Sequence, residues 1–349
     1  MELKEFETPN IDPIFDLYVA YGYVESFVRA GANKIIFEPM GGSYIVSTDV
    51  PKDRLYQGLN SALEEMISLH KALGREKGDT PSEVDFSRGA IIEQGSQKKV
   101  PMYLSEILEY IRNGKMNLLN KKKYTIPLPL MPSAGKYLPQ HFKTPTKKRE
   151  VNALNYALAW VGFHYYTPYV RYTKGDATWV HIYQIVPGEE IDIISLLALK
   201  DLKMHLPHYY EERYDFLTNR RLALLYHLLH SESLGALEVL AGKKFVIRSY
   251  TLEKIGKNQA IRSFGEEEIG KLMDFLWHLK KEDLYHTIAF IDDLLVKVPE
   301  SALALIDAVM NERLESFYLA FKLGERAGVR PSRKIVASVI KFIEEISIS

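Results

Sequence analysis

Apolar side chains recur along this chain with two spacings, which predict alternating helices and strands in its first part. Aromatic and aliphatic residues four apart, from Phe15 to Phe27, form one face of a predicted helix that ends at Gly31. The β-branched and aromatic runs at 34–38 and 44–48 then predict two short strands joined by a glycine hairpin. A long amphipathic helix follows, so the N-terminal region is predicted to be mixed α/β.

The central region repeats this alternation of helices with paired strands. A helix is predicted over 151–162, and the runs 165–172 and 178–186 predict a second hairpin. A strand at 244–250 is followed by a polar stretch with two glycines, up to Gly265, which predicts a loop.

From Glu266 onward the apolar pattern has the helical period only. Pro299 opens the third of four amphipathic segments, Gly328 ends it, and Pro331 lies in the first turn of the fourth. Four such helices with short loops predict a bundle. The fold is therefore predicted to be α+β, with mixed α/β N-terminal and central regions followed by a C-terminal four-helix bundle.

This pattern divides the chain into four predicted parts. They are an α/β N-terminal region at 1–75, a basic loop-rich insertion at 76–150, an α/β central region at 151–265 and the helical bundle at 266–349. Glycine and proline interrupt the insertion repeatedly, apart from one helix at 103–112. Loops of this length in a compact domain are commonly functional or disordered.

Composition excludes several classes of protein. The chain has 349 residues, 46% of them hydrophobic, which is enough for more than one core and argues against global disorder. It has no cysteine, which excludes disulfides, iron–sulfur clusters and thiolate zinc sites. No apolar run approaches the roughly 20 residues that span a bilayer, so we expect a soluble, cytoplasmic protein without membrane contact. Abundant Lys, Glu and Tyr without Cys would suit a thermophile.

Positive charge is concentrated locally, although the chain as a whole is neutral with 45 basic and 45 acidic residues. From Lys98 to Arg149 there are twelve basic residues and two acids, a net charge of 12 − 2 = +10. Such an asymmetric stretch is typical of segments that contact phosphates. The candidate DNA-binding residues here are Lys121, Lys122, Lys123, Lys147, Lys148 and Arg149. The interleaved aromatic residues predicted to stack on unpaired bases are Tyr103, Tyr110, Tyr124, Tyr137 and Phe142. The alternative is that the lysines only keep a surface loop solvated.

A second basic stretch runs from Lys243 to Arg262 and has six basic residues against one acid, a net charge of 6 − 1 = +5. Its candidate residues for nucleic-acid binding are Lys257, Asn258, Gln259 and Arg262. Amide and guanidinium groups pair with base edges and also reach phosphates. An ordinary hairpin loop is the alternative here. The segment from Ser263 onward has fifteen acids and eleven bases, which favours contact with protein partners over contact with phosphates.

Signatures of catalysis are weak. Neither a P-loop nor a dinucleotide-binding glycine motif occurs in the chain. His227 and His230 are three apart on a predicted helix, a spacing that can place two imidazoles on one metal, but no third ligand has a recognisable spacing. We therefore expect core or interface histidines, no enzymatic activity, no cofactor and no metal. Two alternatives stay open: a scaffold that binds only proteins, and a metal-dependent nuclease using His205, His208, His227 or His230 with nearby carboxylates.

Three passages carry a resemblance to a known family. They are Ala159–Tyr172 (AWVGFHYYTPYVRY), Glu190–Lys200 (EIDIISLLALK) and Arg248–Phe264 (RSYTLEKIGKNQAIRSF). With the length and the terminal helices, they resemble the large subunit of the archaeal type I-A CRISPR Cascade, the RNA-guided complex of antiviral defence.

The resemblance implies a role. The large subunit of this family binds target DNA near the protospacer-adjacent motif (PAM), supports R-loop formation and takes part in engaging the nuclease-helicase. Its implied partners are target DNA, the crRNA-bearing complex, other Cascade subunits and that nuclease-helicase. In RNA-guided complexes base pairing reads the target sequence, while the protein reads the PAM and holds the backbones. The resemblance also implies that the chain has no active site of its own.

Overall fold

A computed structural model of the chain describes most of its residues. The described residues are 3–76, 99–134, 149–175, 177–204, 209–210, 214–231, 233–255 and 258–348. Several residues singled out above lie outside them: Lys147, Lys148, Lys257, Tyr137, Phe142, His205 and His208.

The strands of the described residues form three sheets. The strands are β1 (Lys4–Glu7), β2 (Ile35–Pro39), β3 (Tyr44–Thr48), β4 (Lys123–Thr125), β5 (Glu150–Asn152), β6 (Tyr169–Lys174), β7 (Ala177–Pro187), β8 (Ile191–Asp192), β9 (Tyr209–Tyr210), β10 (Phe245–Ile255) and β11 (Asn258–Glu268). Four strands have the order β1-β3-β2-β8, five have the order β11-β10-β7-β6-β9, and β4 pairs with β5 alone. Apart from the parallel contact of β6 with β9, neighbouring strands are antiparallel.

Helices cover these sheets and make up the C-terminal part of the described chain. They are α1 (Pro13–Arg29), α2 (Lys52–Glu76), α3 (Lys99–Arg112), α4 (Met116–Lys121), α5 (Ala153–Tyr166), α6 (Ile193–Met204), α7 (Arg220–Leu229), α8 (Leu234–Leu240), α9 (Gly270–Lys297), α10 (Pro299–Asn311), α11 (Leu314–Arg326) and α12 (Arg333–Ile348). No helix of the described residues is both long enough and apolar enough to cross a membrane.

Helix α1 is the centre of the core. Asp12 caps it by accepting a hydrogen bond from the backbone nitrogen of Ile14 at 3.0 Å, and Pro13 fills the first turn. Although the sequence predicts one apolar face, every residue from Ile14 to Phe27 is buried, because α1 lies between other elements on all sides. Its nearest neighbour is α5, whose Gly162 leaves no room for a Cβ beside the backbone oxygen of Tyr18.

The five-stranded sheet presents different side chains to its two faces. On one face, Gln184 Nε2 donates to the Ile14 oxygen at 2.6 Å and the hydroxyls of Tyr18 and Tyr250 are 2.6 Å apart, so this face rests on α1. On the other face, Tyr183 donates to the oxygen of Arg220 at 2.8 Å, at the start of α7. The sheet therefore separates the α1 side of the molecule from the α7 side.

The predicted α+β class is confirmed, and two local predictions are corrected. The polar stretch predicted as a loop is strand β11, which lies at the edge of its sheet and so exposes many of its side chains. The first two helices predicted for the C-terminal region are both present within α9, where the backbone of Asp283 is not helical and separates them at a kink. The third predicted helix is two, α10 and α11, because the backbone is left-handed at Glu312 with φ of 53°.

Candidate nucleic-acid interface

The first group of predicted basic residues lies on the small sheet of β4 and β5. Lys123 pairs with Asn152 across the two strands, and the backbone nitrogen of Ile126 donates to the oxygen of Arg149 at 3.0 Å. Lys123 and Arg149 are thus three strand positions apart, or about 10 Å. We call Lys121, Lys122, Lys123 and Arg149, together with these strands, the basic ribbon.

All four basic side chains of the ribbon are exposed. Lys122 has a carboxylate oxygen of Glu106 at 3.9 Å, and Arg149 donates through Nη1 to the backbone oxygen of Ile11 at 3.2 Å. Within the described part of the chain, no ion pair neutralises Lys121 or Lys123. The ribbon therefore presents four cations to solvent beside two carboxylates, Glu106 at 3.9 Å from Lys122 and the exposed Glu150 that begins β5.

Aromatic residues beneath the ribbon support it and do not stack on ligands. Tyr124 is buried, its ring lies 4.5 Å from that of Tyr103 and 5.2 Å from that of Tyr156, and its hydroxyl donates to Glu106 at 2.9 Å. Burial, followed by this hydrogen bond, raises the pKa of Tyr124. The prediction that Tyr124 and Tyr103 stack on bases is corrected, since both rings are occupied by core packing. Tyr110 is half-buried and donates to Glu106 as well.

Strand alternation explains that arrangement. In β4 the side chains of Lys123 and Thr125 are exposed and the intervening Tyr124 is buried, which is the period of two expected for a strand with one covered face. Asn152 ends β5 and caps α5, because its Oδ1 accepts a hydrogen bond from the backbone nitrogen of Asn155 at 2.8 Å. The ribbon is thereby anchored to the buried contact of α5 with α1.

The second group of predicted residues lies on the hairpin of β10 and β11. Asn258 and Gln259 begin β11, opposite Ile255 and Lys254. Arg262 is exposed, but its guanidinium forms a short ion pair with Glu253, which also accepts a hydrogen bond from Trp179 Nε1 at 3.0 Å.

Arg248 of this hairpin is paired too. Arg248 lies opposite Glu266 in the register, and their side chains are 3.3 Å apart. Between Phe245 and Glu268 the hairpin has four basic residues and four acids, a net charge of 4 − 4 = 0. The count of +5 from Lys243 to Arg262 leaves out Glu266, Glu267 and Glu268, which β11 places beside the start of β10. The count therefore overstates the positive charge of this surface.

Arg262 and the ribbon lie on opposite sides of the five-stranded sheet, whereas Arg248 of the same hairpin lies on the side of the ribbon, where its Nη1 donates to the oxygen of Pro13 at 3.3 Å. Arg262 pairs with Glu253, which lies two positions after Thr251 in β10 and therefore on the same face of the sheet. Thr251 Oγ1 lies 2.8 Å from His181 Nδ1 on the α7 side, so this face is the α7 side. The ribbon lies on the α1 side, where Arg149 reaches the oxygen of Ile11 just before α1.

A polar cavity next to the ribbon has no counterpart in the sequence patterns. It has a volume of about 340 Å³ and is formed by β1, α2, α4 and the start of α5. Asn120, which precedes the three lysines, and Asn152, which lies opposite Lys123, both line it. No local signal predicts this cavity because its walls, which include Tyr23 of α1, come from five separated segments.

The histidines considered as metal ligands have other surroundings. His227 is fully buried, as expected for a core residue, and His230 Nε2 lies 2.9 Å from Asp292 Oδ1 at the contact of α7 with α9. His286, another histidine of the C-terminal region, is exposed and contacts Asp283. The described residues contain no group of three or more His, Asp or Glu side chains arranged to hold a metal ion.

Comparisons with known proteins give one consistent result. The family model described as CRISPR-associated protein (Cas_Csa4) matches residues 4–346. A relative described as CRISPR-associated protein Cas8a2/Csa4, from Methanocaldococcus jannaschii, is 45% identical over 351 aligned positions, which cover 97% of this chain and 92% of the relative. The match therefore includes the ribbon, the hairpin and the C-terminal helices together.

Proposed function

The chain belongs to the Csa4 family of CRISPR-associated proteins, the large-subunit family of type I-A Cascade, and from this we propose that it is a non-catalytic subunit that binds target DNA beside the PAM. Membership of this family implies an effector complex with other Cas proteins. In that complex the chain would support R-loop formation on a crRNA-guided target. Its acidic C-terminal helices would face protein partners, among them the nuclease-helicase.

The observation that carries the proposal is the basic ribbon. Lys121 ends α4, Lys122 follows it, Lys123 begins β4 and Arg149 directly precedes β5, and Lys121 and Lys123 have no carboxylate partner in the described part of the chain. Phosphate contacts need cations that are free to exchange counterions for the nucleic-acid backbone. The ribbon would therefore hold the DNA backbone without reading its sequence.

The hairpin tip would have a different task. Because the hairpin has no net charge, its contribution would come from amides, and Asn258 and Gln259 start β11 directly at the turn. Such amides pair with the edge of adenine in the major groove. We assign them to probing the PAM duplex together with Lys257, which lies outside the described residues, while Arg262 is held in place by Glu253.

A direct experiment for the ribbon is charge reversal in the assembled complex. The triple variant Lys121→Glu, Lys122→Glu, Lys123→Glu should lower the affinity for a PAM-containing duplex more than about tenfold, because three attractive phosphate contacts become repulsive. Gel-shift titration measures the affinity, and permanganate footprinting of the displaced strand measures R-loop formation. The matched control reverses three exposed lysines of the C-terminal helices, Lys322, Lys334 and Lys341. Equal affinities for the two variants would reject the ribbon as the DNA contact.

The hairpin is tested through discrimination rather than affinity. Asn258→Ala with Gln259→Ala should reduce the ratio of affinities for PAM and non-PAM duplexes, since only base contacts distinguish them. An equal loss on both duplexes would assign the tip to backbone positioning. The non-catalytic role is checked by incubating the purified chain with DNA and manganese, where cleavage would revive the nuclease alternative.

A further inference from the structure

The polar cavity beside the basic ribbon combines aromatic and amide groups in one place. Its lining includes Tyr23 and Tyr56, whose proximity is reflected in the pKa of Tyr23, raised to about 12 by burial first and by the neighbouring Tyr56 second. Phe6 packs against Tyr23 with 5.7 Å between the ring centroids. The cavity lining thus includes three aromatic side chains, of which Tyr23 is buried and Phe6 and Tyr56 are partly exposed.

The lining of the cavity also includes amides. Asn120 is exposed on α4, and Asn152 lies at the end of β5. The Oδ1 of Asn152 is used in capping α5, which leaves its amide nitrogen as the remaining donor of that side chain. The volume of about 340 Å³ falls within the range of small-molecule pockets.

Two carboxylates restrict what this cavity can bind. Glu5 and Glu7 line it, together with the single cation Lys52. Carboxylates repel a phosphate at short range but accept hydrogen bonds from exocyclic amino groups. Aromatic rings stack on a base, and amides pair with its edges. The lining therefore suits a neutral, amino-bearing ring and does not suit an anion.

From these observations we propose that the cavity binds a single unpaired nucleobase, adenine, cytosine or guanine, of the strand whose phosphates lie on the basic ribbon. Asn120 directly precedes Lys121, and Asn152 lies across from Lys123, so the cavity and the ribbon are continuous. A strand held by the lysines would turn one base out of its stack into the cavity. This inference rests on the proposed DNA contact of the ribbon and adds a base site to it.

The test uses abasic nucleotides, which remove a base and keep its phosphate. The assembled complex is titrated by fluorescence anisotropy with single-stranded oligonucleotides in which one abasic nucleotide is moved along the strand. One abasic position should lower the affinity about 5- to 100-fold, the range of one base–aromatic contact. Parallel DNA and RNA series distinguish a target-strand base from a crRNA base, because both carry the same ring chemistry.

Matched variants tie the effect to the cavity. Asn120→Ala should lower affinity for the intact strand and leave affinity for the sensitive abasic strand unchanged. Asn117→Ala is the control, since Asn117 is an exposed asparagine on the same helix but does not line the cavity. Tyr56→Leu should remove the abasic effect, whereas Tyr56→Phe keeps the ring and should retain it.

The outcomes separate this proposal from the one on which it rests. If no abasic position matters in either series, or if Asn120→Ala and Asn117→Ala behave alike, the base site is rejected. If the lysine reversal then still weakens binding, the ribbon stands as a pure phosphate contact. If the lysine reversal has no effect, the proposed function itself fails, whatever the abasic series gives.

Discussion

The basic ribbon and the β10–β11 hairpin both have an excess of positive charge along the sequence, but they differ in what lies beside those charges. In the ribbon, one carboxylate lies 3.9 Å from Lys122, and Lys121 and Lys123 have none among the described residues. In the hairpin, Arg248 lies beside Glu266 and Arg262 beside Glu253. A field that attracts phosphates needs unpaired charge, which Lys121 and Lys123 of the ribbon supply and the ion-paired Arg248 and Arg262 of the hairpin do not.

The register of the strands causes this difference. Antiparallel pairing brings the end of β11 back to the start of β10, which places glutamates that are 18 to 22 positions away in the sequence next to Arg248 and Val246. In the ribbon, the returning strand β5 carries Arg149 and one acid, Glu150. The net charge of a sequence segment therefore predicts the charge of the surface it forms only when the strand that pairs with it is known.

The largest effect that we expect is on the free energy of unfolding, through the helix contact on which the ribbon rests. Gly162→Ala should destabilise the protein by about 3 kcal/mol, because a Cβ would lie 1.9 Å from the Tyr18 oxygen and two buried helix backbones would have to separate. This cost exceeds the gain of about 1 kcal/mol in helix propensity. Urea unfolding measures the difference.

Gly265 in the hairpin is the matched comparison. A Cβ there would lie 2.3 Å from Arg220 Nη2, the end of a flexible side chain that can move aside, so Gly265→Ala should cost under about 1 kcal/mol. Equal costs at the two glycines would contradict the view that the ribbon rests on a tight contact of two helices.

A smaller effect depends on pH and belongs to the sheet of the hairpin. His181 is buried, its Nε2 donates to the Leu217 oxygen at 2.7 Å, and burial lowers its pKa to about 4. Between pH 6.5 and 4 the unfolded chain binds a proton that the folded chain does not, so stability is lost as pH falls through this window. From pH 6.5 to 5 the loss should be about 1.5 kcal/mol.

Comparison with His181→Gln isolates this contribution. Stability is measured by urea unfolding at both pH values, and the variant should lack the histidine part of the acid loss. Hydrogen exchange corrected for pH should show loosening of β7 and β10 before β4 and β5. A loss of the same size in the variant would place the titrating group elsewhere.

The smallest effect that we expect is on DNA affinity, in a variant that gives the neutral hairpin a net positive charge. Glu266→Gln with Glu268→Gln replaces two exposed carboxylates and changes the hairpin from a net charge of 0 to +2. Non-specific duplex DNA should then bind more tightly, by a factor below about ten, because the net charge of the hairpin rises by two. The same exchange at two exposed acids of the C-terminal helices, Glu315 and Glu325, is the control. If DNA affinity rises no more in this variant than in the control, the hairpin lies away from the DNA for a reason other than its lack of net charge.

Sequence patterns predicted most elements whose side chains alternate between core and solvent. The strands β2 and β3 and the hairpin of β6 and β7 lie within a few residues of their predicted positions. Strand β11 was missed because an edge strand buries few residues and its sequence is polar. The sequence of helix α1 predicted its helical period correctly but did not predict that all of its sides are buried, since no local pattern reports how many elements surround a helix.

The residues of the candidate site likewise differ in how far the sequence alone predicts them. Lys121, Lys122 and Lys123 follow from composition alone, since a lysine run is exposed in almost any fold. Their proximity to Arg149 depends on pairing across an insertion, and the pairing of Arg262 with Glu253 depends on a register. The tyrosines near the lysines were predicted to meet bases, but alternation along β4 turns Tyr124 into the core.

The most direct test of the central claim is the salt dependence of DNA binding by the assembled complex. Replacing Lys121, Lys122 and Lys123 by Gln removes three charges without adding repulsion, and each phosphate contact contributes about 0.9 to the slope of log K against log salt. We predict that the slope becomes shallower by about 2 to 3, while the neutralised control Lys322→Gln, Lys334→Gln, Lys341→Gln keeps the wild-type slope. An unchanged slope in the ribbon variant would contradict the claim that the ribbon, rather than the hairpin, holds the nucleic-acid backbone.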